Sequence, residues 1–333
     1  MLALRTLSSQ PHILFVSTVH TPFIDDDLKV LSKDSRVTVC IGQGPRQVLD
    51  VILGVLHSHL VFCWFASVYA AIATLVAGFL GRKSIMVIGG VDMAKEKEFG
   101  YGLWLSPWKS FLARRAIKTA ARVLVVDQSL KDEVLFRVNY QGDNLEVLPT
   151  GYDHELWKPS GTKDPIVLTV AAVQNEGRLK IKGIDILFEV ARKLPSVKFA
   201  LIGFDPSKFA TFTPPANLSI LPFVEQANLL WHYQRAKVYC QPSRREGLSN
   251  TLCEAMLCGC IPVASNVGGS ARAVGESGII VHPEDPSALA TGIEKALGMP
   301  EGASRMARER IVSLFPKEQR ERRLRELIGE LSR

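Results

Sequence analysis

Residues 240–286 read CQPSRREGLSNTLCEAMLCGCIPVASNVGGSARAVGESGIIVHPEDP, and they decide the architecture. An apolar strand, KVYCQPS at 237–243, runs out into two arginines and Glu246. Gly247-Leu248-Ser249-Asn250 then forms a junction where Ser249 or Asn250 can cap a helix that carries Glu254, with free backbone N–H groups just beyond. A second apolar strand, CIPVASN at 260–266, leads to Gly268-Gly269, and a third, GIIVHP, follows at 278–283. Strand, glycine-bearing loop, helix and strand repeat the unit of a parallel sheet, whose ligands lie beyond the carboxyl ends of the strands. On one helix Glu246 and Glu254 would stand about 80° and roughly 12 Å apart, too far to share a small ligand. The pair is therefore expected to straddle a loop-to-helix junction, whose N-terminus suits a diphosphate.

Upstream, the same alternation continues with IVLTVAAV at 166–173, VKFALIG at 197–203 and LSILPFV at 218–224. An independent series precedes it: HILFVST at 12–18, a helix near 24–33, RVTVC at 36–40, LVFCWF at 60–65, a helix to Leu80, SIMVIGG at 84–90, a further helix, and ARVLVVD at 121–127. Near-continuous apolar strands mean that both sheet faces are covered. The turn-rich LPTGYDHELWKPSG at 148–161 separates the series, and Ser304 to Arg333 reads as a helix pair broken at Pro316. The expected fold class is α/β, two Rossmann-like doubly wound domains facing a cleft: 1–155, 156–315, and a last helix, 316–333, returning to the N-terminal domain. The 333 residues support this, since one core stops growing at roughly 250 to 300 residues.

Other classes fall away. With 47% hydrophobic and 22% charged residues the chain is neither disordered nor fibrous. The six cysteines lie mostly in apolar runs without a CxxC pair, so they read as reduced, buried thiols of a cytosolic protein. Arg5, Ser8, Ser9 and Pro11 interrupt what an export signal would need as an apolar run. Val51 to Gly81 contains no charged side chain and is long enough for a membrane span. Its strand formers followed by helix formers instead suggest a buried strand and a buried helix. No glycine follows the first strand, which disfavours a dinucleotide dehydrogenase, and neither GxxxxGK[ST] nor GxSxG occurs.

The order PSxxEG, a second Glu eight residues on, EAMLCGCIPVA, GG and VHPED resembles the retaining GT-B glycosyltransferases of family 4, whose pattern there is EAMxxGxPVVA. LEVLPTGYDHELWKP resembles that family's domain-crossing segment, and LTVAAVQNEGRLKIKGIDILFEVARKLPSVKFALIG resembles its first C-domain unit. The resemblance implies an N-terminal acceptor domain and a C-terminal domain for a UDP- or GDP-linked sugar donor. It also implies a metal-independent, retaining hexosyl transfer in which Glu246 holds donor-sugar hydroxyls, Glu254 the ribose, and Lys182 the phosphates. No cofactor beyond the donor substrate and no metal is implied. Arg178 and Lys180 compete for the second phosphate contact, since Arg178 stands four rather than the usual five residues before Lys182. The histidine many relatives carry after the fourth strand is replaced here by Gly89-Gly90-Val91-Asp92. Asp92 is either its substitute toward a sugar or a turn residue. Gly247, Leu248, Ser249, Asn250, Gly268 and Gly269 complete the expected donor loop, although Arg272 stands near where GGxxE would place a Glu. Two alternatives stay open: a non-catalytic nucleotide-sugar-binding relative, and an epimerase or phosphorolytic enzyme on the same fold.

Asp25-Asp26-Asp27 could pass for a DxD metal site, but it opens a helix whose positive end favours acids. Between residues 104 and 122 stand Lys109, Arg114, Arg115, Lys118 and Arg122 with no acid. On a helix Phe111, Arg114, Arg115, Lys118 and Arg122 fall in an arc of about 120° ending at Trp108, opposite Ala113, Ala116, Ile117 and Ala120. The face matches either a solvated basic surface or one resting on anionic lipid, with Trp104 and Leu105 as wedges. The membrane reading makes the protein cytoplasmic and peripheral on the cytoplasmic membrane face, with a lipid-linked or glycan acceptor. No nucleic-acid-binding signature accompanies the charge.

Overall fold

A computed structural model describes residues 10–209 and 213–332. The expectation about an export signal rests mainly on residues 1–9 and so lies outside the described residues. The first half consists of β1 (His12–Ser17), α1 (Pro22–Asp34), β2 (Arg36–Ile41), α2 (Pro45–His57), β3 (Leu60–Trp64), α3 (Val68–Phe79), β4 (Lys83–Ile88), α4 (Pro107–Thr119), β5 (Arg122–Val125), α5 (Gln128–Val138) and β6 (Leu145–Val147). The second half begins with β7 (Asp164–Val170), α6 (Glu176–Ile181), α7 (Ile184–Lys193), β8 (Lys198–Ile202) and β9 (Leu218–Leu221). It continues through α8 (Gln226–Arg235), β10 (Ala236–Gln241), α9 (Asn250–Leu257), β11 (Ile261–Ser265), α10 (Ser270–Val274), β12 (Ile279–Val281) and α11 (Pro286–Gly298). Two helices close the chain, α12 (Glu301–Leu314) and α13 (Lys317–Leu331).

The strands form two parallel sheets, in the orders β2-β1-β3-β4-β5-β6 and β12-β11-β10-β7-β8-β9. In each, the direction of travel across the sheet reverses once, between β1 and β3 and between β7 and β10. That is where a doubly wound sheet opens a crevice for a ligand. Ile13–Val16, Leu60–Cys63 and Ile85–Ile88 are wholly buried, as expected of strands covered on both faces. The uncharged stretch from Val51 divides into the end of α2, all of β3 and all of α3. No helix among the described residues is long and apolar enough to cross a membrane.

Three sequence expectations need correction. The basic helix stops at Thr119, so Arg122 opens β5 and does not extend the cationic face. Trp104 is buried, and its indole N–H donates to the carbonyl of Asp92 at 2.8 Å, so it is no membrane wedge. Residues 145–147, read only as part of the crossing segment, form the edge strand β6. The acidic triplet likewise serves packing. Asp25 faces His20, Asp26 pairs with Lys29, and buried Asp27 receives the guanidinium of Arg320 at 2.7 and 2.6 Å and the indole of Trp64 at 2.9 Å. Arg320 also donates to the carbonyls of Leu148 and Pro149, so α13 is fixed on α1 and on the end of β6. The described residues hold no group of three His, Cys, Asp or Glu side chains placed to bind a metal.

Candidate active site

The donor loop is built as its sequence dictates. Ser249 is the N-cap of α9, its hydroxyl accepting from the Leu252 amide at 3.4 Å, while Asn250 accepts from the Tyr152 hydroxyl at 2.8 Å and so ties the crossing segment to the helix start. Glu246 lies on the loop before α9 and Glu254 within it, the junction arrangement expected from their spacing. Lys182, at the end of α6, places its ammonium 2.6 Å from Glu246 Oε1, and the Ser243 hydroxyl donates to the same oxygen at 2.7 Å. One side of α9's N-terminus therefore carries a fixed cation and a carboxylate in contact.

Glu254 stands behind this pair. Its carboxylate is 5% exposed and accepts from Gln226 Nε2 at 3.0 Å and from the Tyr233 hydroxyl at 3.2 Å. Burial raises it from an ordinary 4.5 to about 7, against the opposing pull of those two donors. Tyr239 lies in the field of both Glu246 and Glu254, and its hydroxyl donates to Thr251 at 2.7 Å.

The two basic rivals behave differently. Lys180 extends to Asp185 at 2.9 Å, a carboxylate that Arg244 also grips at 2.8 and 3.0 Å. Arg178 anchors its Nε on the Ala172 carbonyl and acts electrostatically on Tyr101, as Glu246 does. Arg178 thus shares the surroundings of Tyr101 with Glu246, whereas Lys180 is engaged by Asp185 in an ion cluster with Arg244.

Asp92 takes the turn role. It is 2% exposed, and its two oxygens accept from the backbone amides of Ala66, Gly89 and Gly90 at 3.1, 3.3 and 2.8 Å. Burial raises this carboxyl above its ordinary value, those amides opposing. Buried and engaged by three amides of its own loop and the neighbouring one, Asp92 is placed to support the Gly89–Gly90 turn. The glycines it holds meet the other half directly. A Cβ on Gly90 would lie 3.0 Å from the Gly247 amide nitrogen. Gly268, at φ +53°, packs on the carbonyls of Glu246 and Gly247, and the Gly269 amide donates to Gly247 at 2.6 Å. Gly268 and Gly269 therefore buttress the donor loop from behind. Leu248 is buried beside Gly269.

The strap between β4 and α4 was not anticipated. Glu96 and Tyr101 pair as a two-residue bridge, with backbone bonds of 2.8 and 3.0 Å. The ring of Phe99 at its tip faces the Arg244 guanidinium at 5.4 Å, and Glu96 meets Arg245 at 3.2 Å. Tyr101 is half-buried among Arg178, Glu246 and Arg245, with its phenol raised chiefly by burial. Only the two flanking glycines, Gly100 and Gly102, hinted at a tight excursion, and nothing in the sequence showed that it would cross to the other half.

Comparison with known proteins adds family information. Residues 164–298 match the family model described as "Glycosyl transferases group 1". The chain is 26% identical over 258 residues to alpha-maltose-1-phosphate synthase of Mycolicibacterium smegmatis, covering 68% of this chain and 64% of that protein. It is 26% identical over 203 residues to D-inositol 3-phosphate glycosyltransferase of Paenarthrobacter aurescens, covering 54% and 50%. The chain thus spans less than two thirds of the length of these curated relatives. Among solved structures, Anabaena Alr3699/HepE in complex with UDP-glucose superposes with a TM-score of 0.78 at 15% identity, over 96% of this chain and 100% of that one.

Proposed function

We propose that the chain is a group 1 glycosyltransferase of the GT-B fold that moves a hexosyl group from a nucleoside-diphosphate sugar to an acceptor, with retention and without a metal. The observation that carries this reading is the contact between Lys182 and Glu246 at the N-terminus of α9. A diphosphate arriving there would draw on the Lys182 ammonium, on Arg178 and on the amides of the helix start. As the sugar leaves, charge accumulates on that diphosphate, and cations fixed beforehand stabilise it. Glu246, released from the lysine, would hold hydroxyls of the donor sugar, and Glu254 would accept from the ribose. Departing phosphate oxygen is the proton acceptor, so no second carboxylate is required as nucleophile. The UDP-glucose seen in the Anabaena neighbour supports a uridine donor.

The acceptor side carries the second part of the proposal, a peripheral place on the cytoplasmic membrane face with a lipid-linked acceptor. In α4 the side chains of Trp108 and Phe111 are 57% and 56% exposed, with Lys109 and Arg115 over their rings at 5.6 and 5.3 Å. Ala113, Ala116 and Ile117 face inward. The adjoining helices α2 and α3 add exposed Leu49, Leu53, Leu56 and Phe79. Aromatic and aliphatic side chains mixed with cations on one layer are the composition of an interfacial surface.

The test is a thermal-shift screen against UDP, GDP, ADP and their sugars, followed by product analysis of any sugar nucleotide that stabilises. Slow release of UDP and of a sugar with retained anomeric configuration is expected. Binding without turnover would leave a sensor, and an altered sugar nucleotide or a sugar phosphate would indicate epimerase or phosphorolytic chemistry.

A further inference from the structure

We propose that Arg245 is a positioning residue: by bridging Glu96 and Glu133 it holds the two halves together over the donor site and fixes the backbone that carries Glu246. The catalytic consequence rests on the transferase reading above, whereas the closure rests on the contacts alone. Arg245 belongs to the second half, on the loop between β10 and α9, and both acids belong to the first. Its Nη1 lies 3.2 Å from Glu96 Oε1, and its Nη2 lies 2.5 Å from Glu133 Oε2 and 3.4 Å from the Gly90 carbonyl. Arg137 holds Glu133 in turn at 2.7 Å, one helical turn along α5.

Burial separates this bridge from an ordinary surface pair, which contributes little. The Arg245 side chain is 16% exposed, and its Nε is buried without a hydrogen-bond partner among the described residues. Removing both acids leaves a poorly solvated cation, so the pair of contacts favours the closed arrangement. One peptide bond separates this guanidinium from the residue whose carboxylate touches Lys182. Parting of the halves would therefore pull on Glu246, while the Gly90–Gly247 backbone contact breaks beside it. The PSxxEG pattern leaves position 245 unspecified, so the bridge is a property of this chain.

The test uses the full chain in three forms: wild type, Arg245→Gln, and the double variant Glu96→Gln/Glu133→Gln, which leaves every donor-side residue in place. Small-angle scattering without ligand should show a larger radius of gyration in both variants. UDP affinity by calorimetry should stay within about twofold of wild type, as for groups that do not share a partner. Turnover of UDP-glucose should fall on the order of tenfold, the effect of a misplaced reacting group. Arg245→Lys, which reaches one acid, should recover part of it. An unchanged radius of gyration in both variants overturns the proposal, and so does a loss of UDP affinity equal to the loss of turnover. If wild type neither binds UDP nor consumes a sugar nucleotide, the transferase reading fails, while the scattering result still decides the bridge.

Discussion

Replacing Glu254 by Gln separates the stability of the fold from the chemistry proposed for the site. In the native protein the carboxyl is displaced from 4.5 to about 7 because burial penalises its charged form. Each tenfold change in an acid constant is worth about 1.4 kcal/mol, so the charged carboxylate costs the folded state about 3 kcal/mol. The sign follows from which state holds the proton. Between pH 4.5 and 7 the folded protein keeps it and the unfolded chain gives it up, so stability falls as pH rises through that window and stays low above it. Glutamine has the same shape, keeps an acceptor for the Tyr233 hydroxyl, and meets a Gln226 amide that can turn to present its oxygen. It never carries the charge.

At pH 5 the variant and the wild type should melt close together. At pH 8.5 the variant should melt higher by roughly 6 to 12 °C, given roughly 2 to 4 °C per kcal/mol for a domain of 150 to 250 residues. Differential scanning fluorimetry at both pH values measures the difference directly, because all other titrations cancel between the two proteins. Added UDP should then reverse the order, stabilising the wild type and failing to stabilise the variant, since the proposed ribose acceptor is weakened. A melting difference that does not change between pH 5 and pH 8.5 refutes the buried-carboxylate argument. Equal stabilisation of both proteins by UDP refutes the ribose contact.

Lys182→Ala removes one preorganised cation and should lower kcat by about 100- to 1000-fold while the fold survives; steady-state kinetics with a sugar nucleotide checks it, and an unaltered kcat excludes the phosphate role. Asp27→Asn leaves Arg320 buried without its charged partner and should cost about 3 kcal/mol or more, read as a shifted midpoint in urea. Loss of that anchor should register even without ligand. Trp108→Ser with Phe111→Ser should abolish flotation with anionic liposomes at low salt while donor hydrolysis persists. Absence of wild-type flotation removes the membrane proposal.

The fold was legible because its strands are continuous apolar runs and its helices open on proline, serine or aspartate. Ser67, Asp127, Ser249 and Asp285 all cap helices with their side chains. β6 was hidden because three residues at a sheet edge carry no periodicity. Within the site, the resemblance placed Glu246 and Lys182 in one pocket, but their direct contact came only from the structure. Arg178 and Lys180 could not be told apart, since the deciding residue is Asp185, whose hold on Lys180 depends on how α6 meets α7. Trp104 read by sequence as a wedge beside the basic helix, yet the Asp92 carbonyl after β4 captures its indole. Asp27 and Arg320 stand 293 positions apart, and no local pattern relates them.

The loss of the family histidine redistributes work between the halves. With Asp92 engaged by three backbone amides, the N-terminal half presents the Gly89–Gly90 backbone to the Gly247 loop, and Tyr101 stands half-buried in the field of Arg178, Glu246 and Arg245. That phenol, raised by burial, stays protonated at neutral pH and can donate or accept a hydrogen bond but supplies no charge. On the reading proposed above, the cations that would face the diphosphate, and the helix start with them, belong to the C-terminal half. Stabilisation of the leaving group would then rest with one sheet and its loops, and the other half would contribute position: the strap, the Arg245 bridge and the glycine contact. Substitutions on the strap should accordingly alter which acceptor is used and how tightly the halves close, whereas substitutions around α6 and α9 should alter the rate for every acceptor alike.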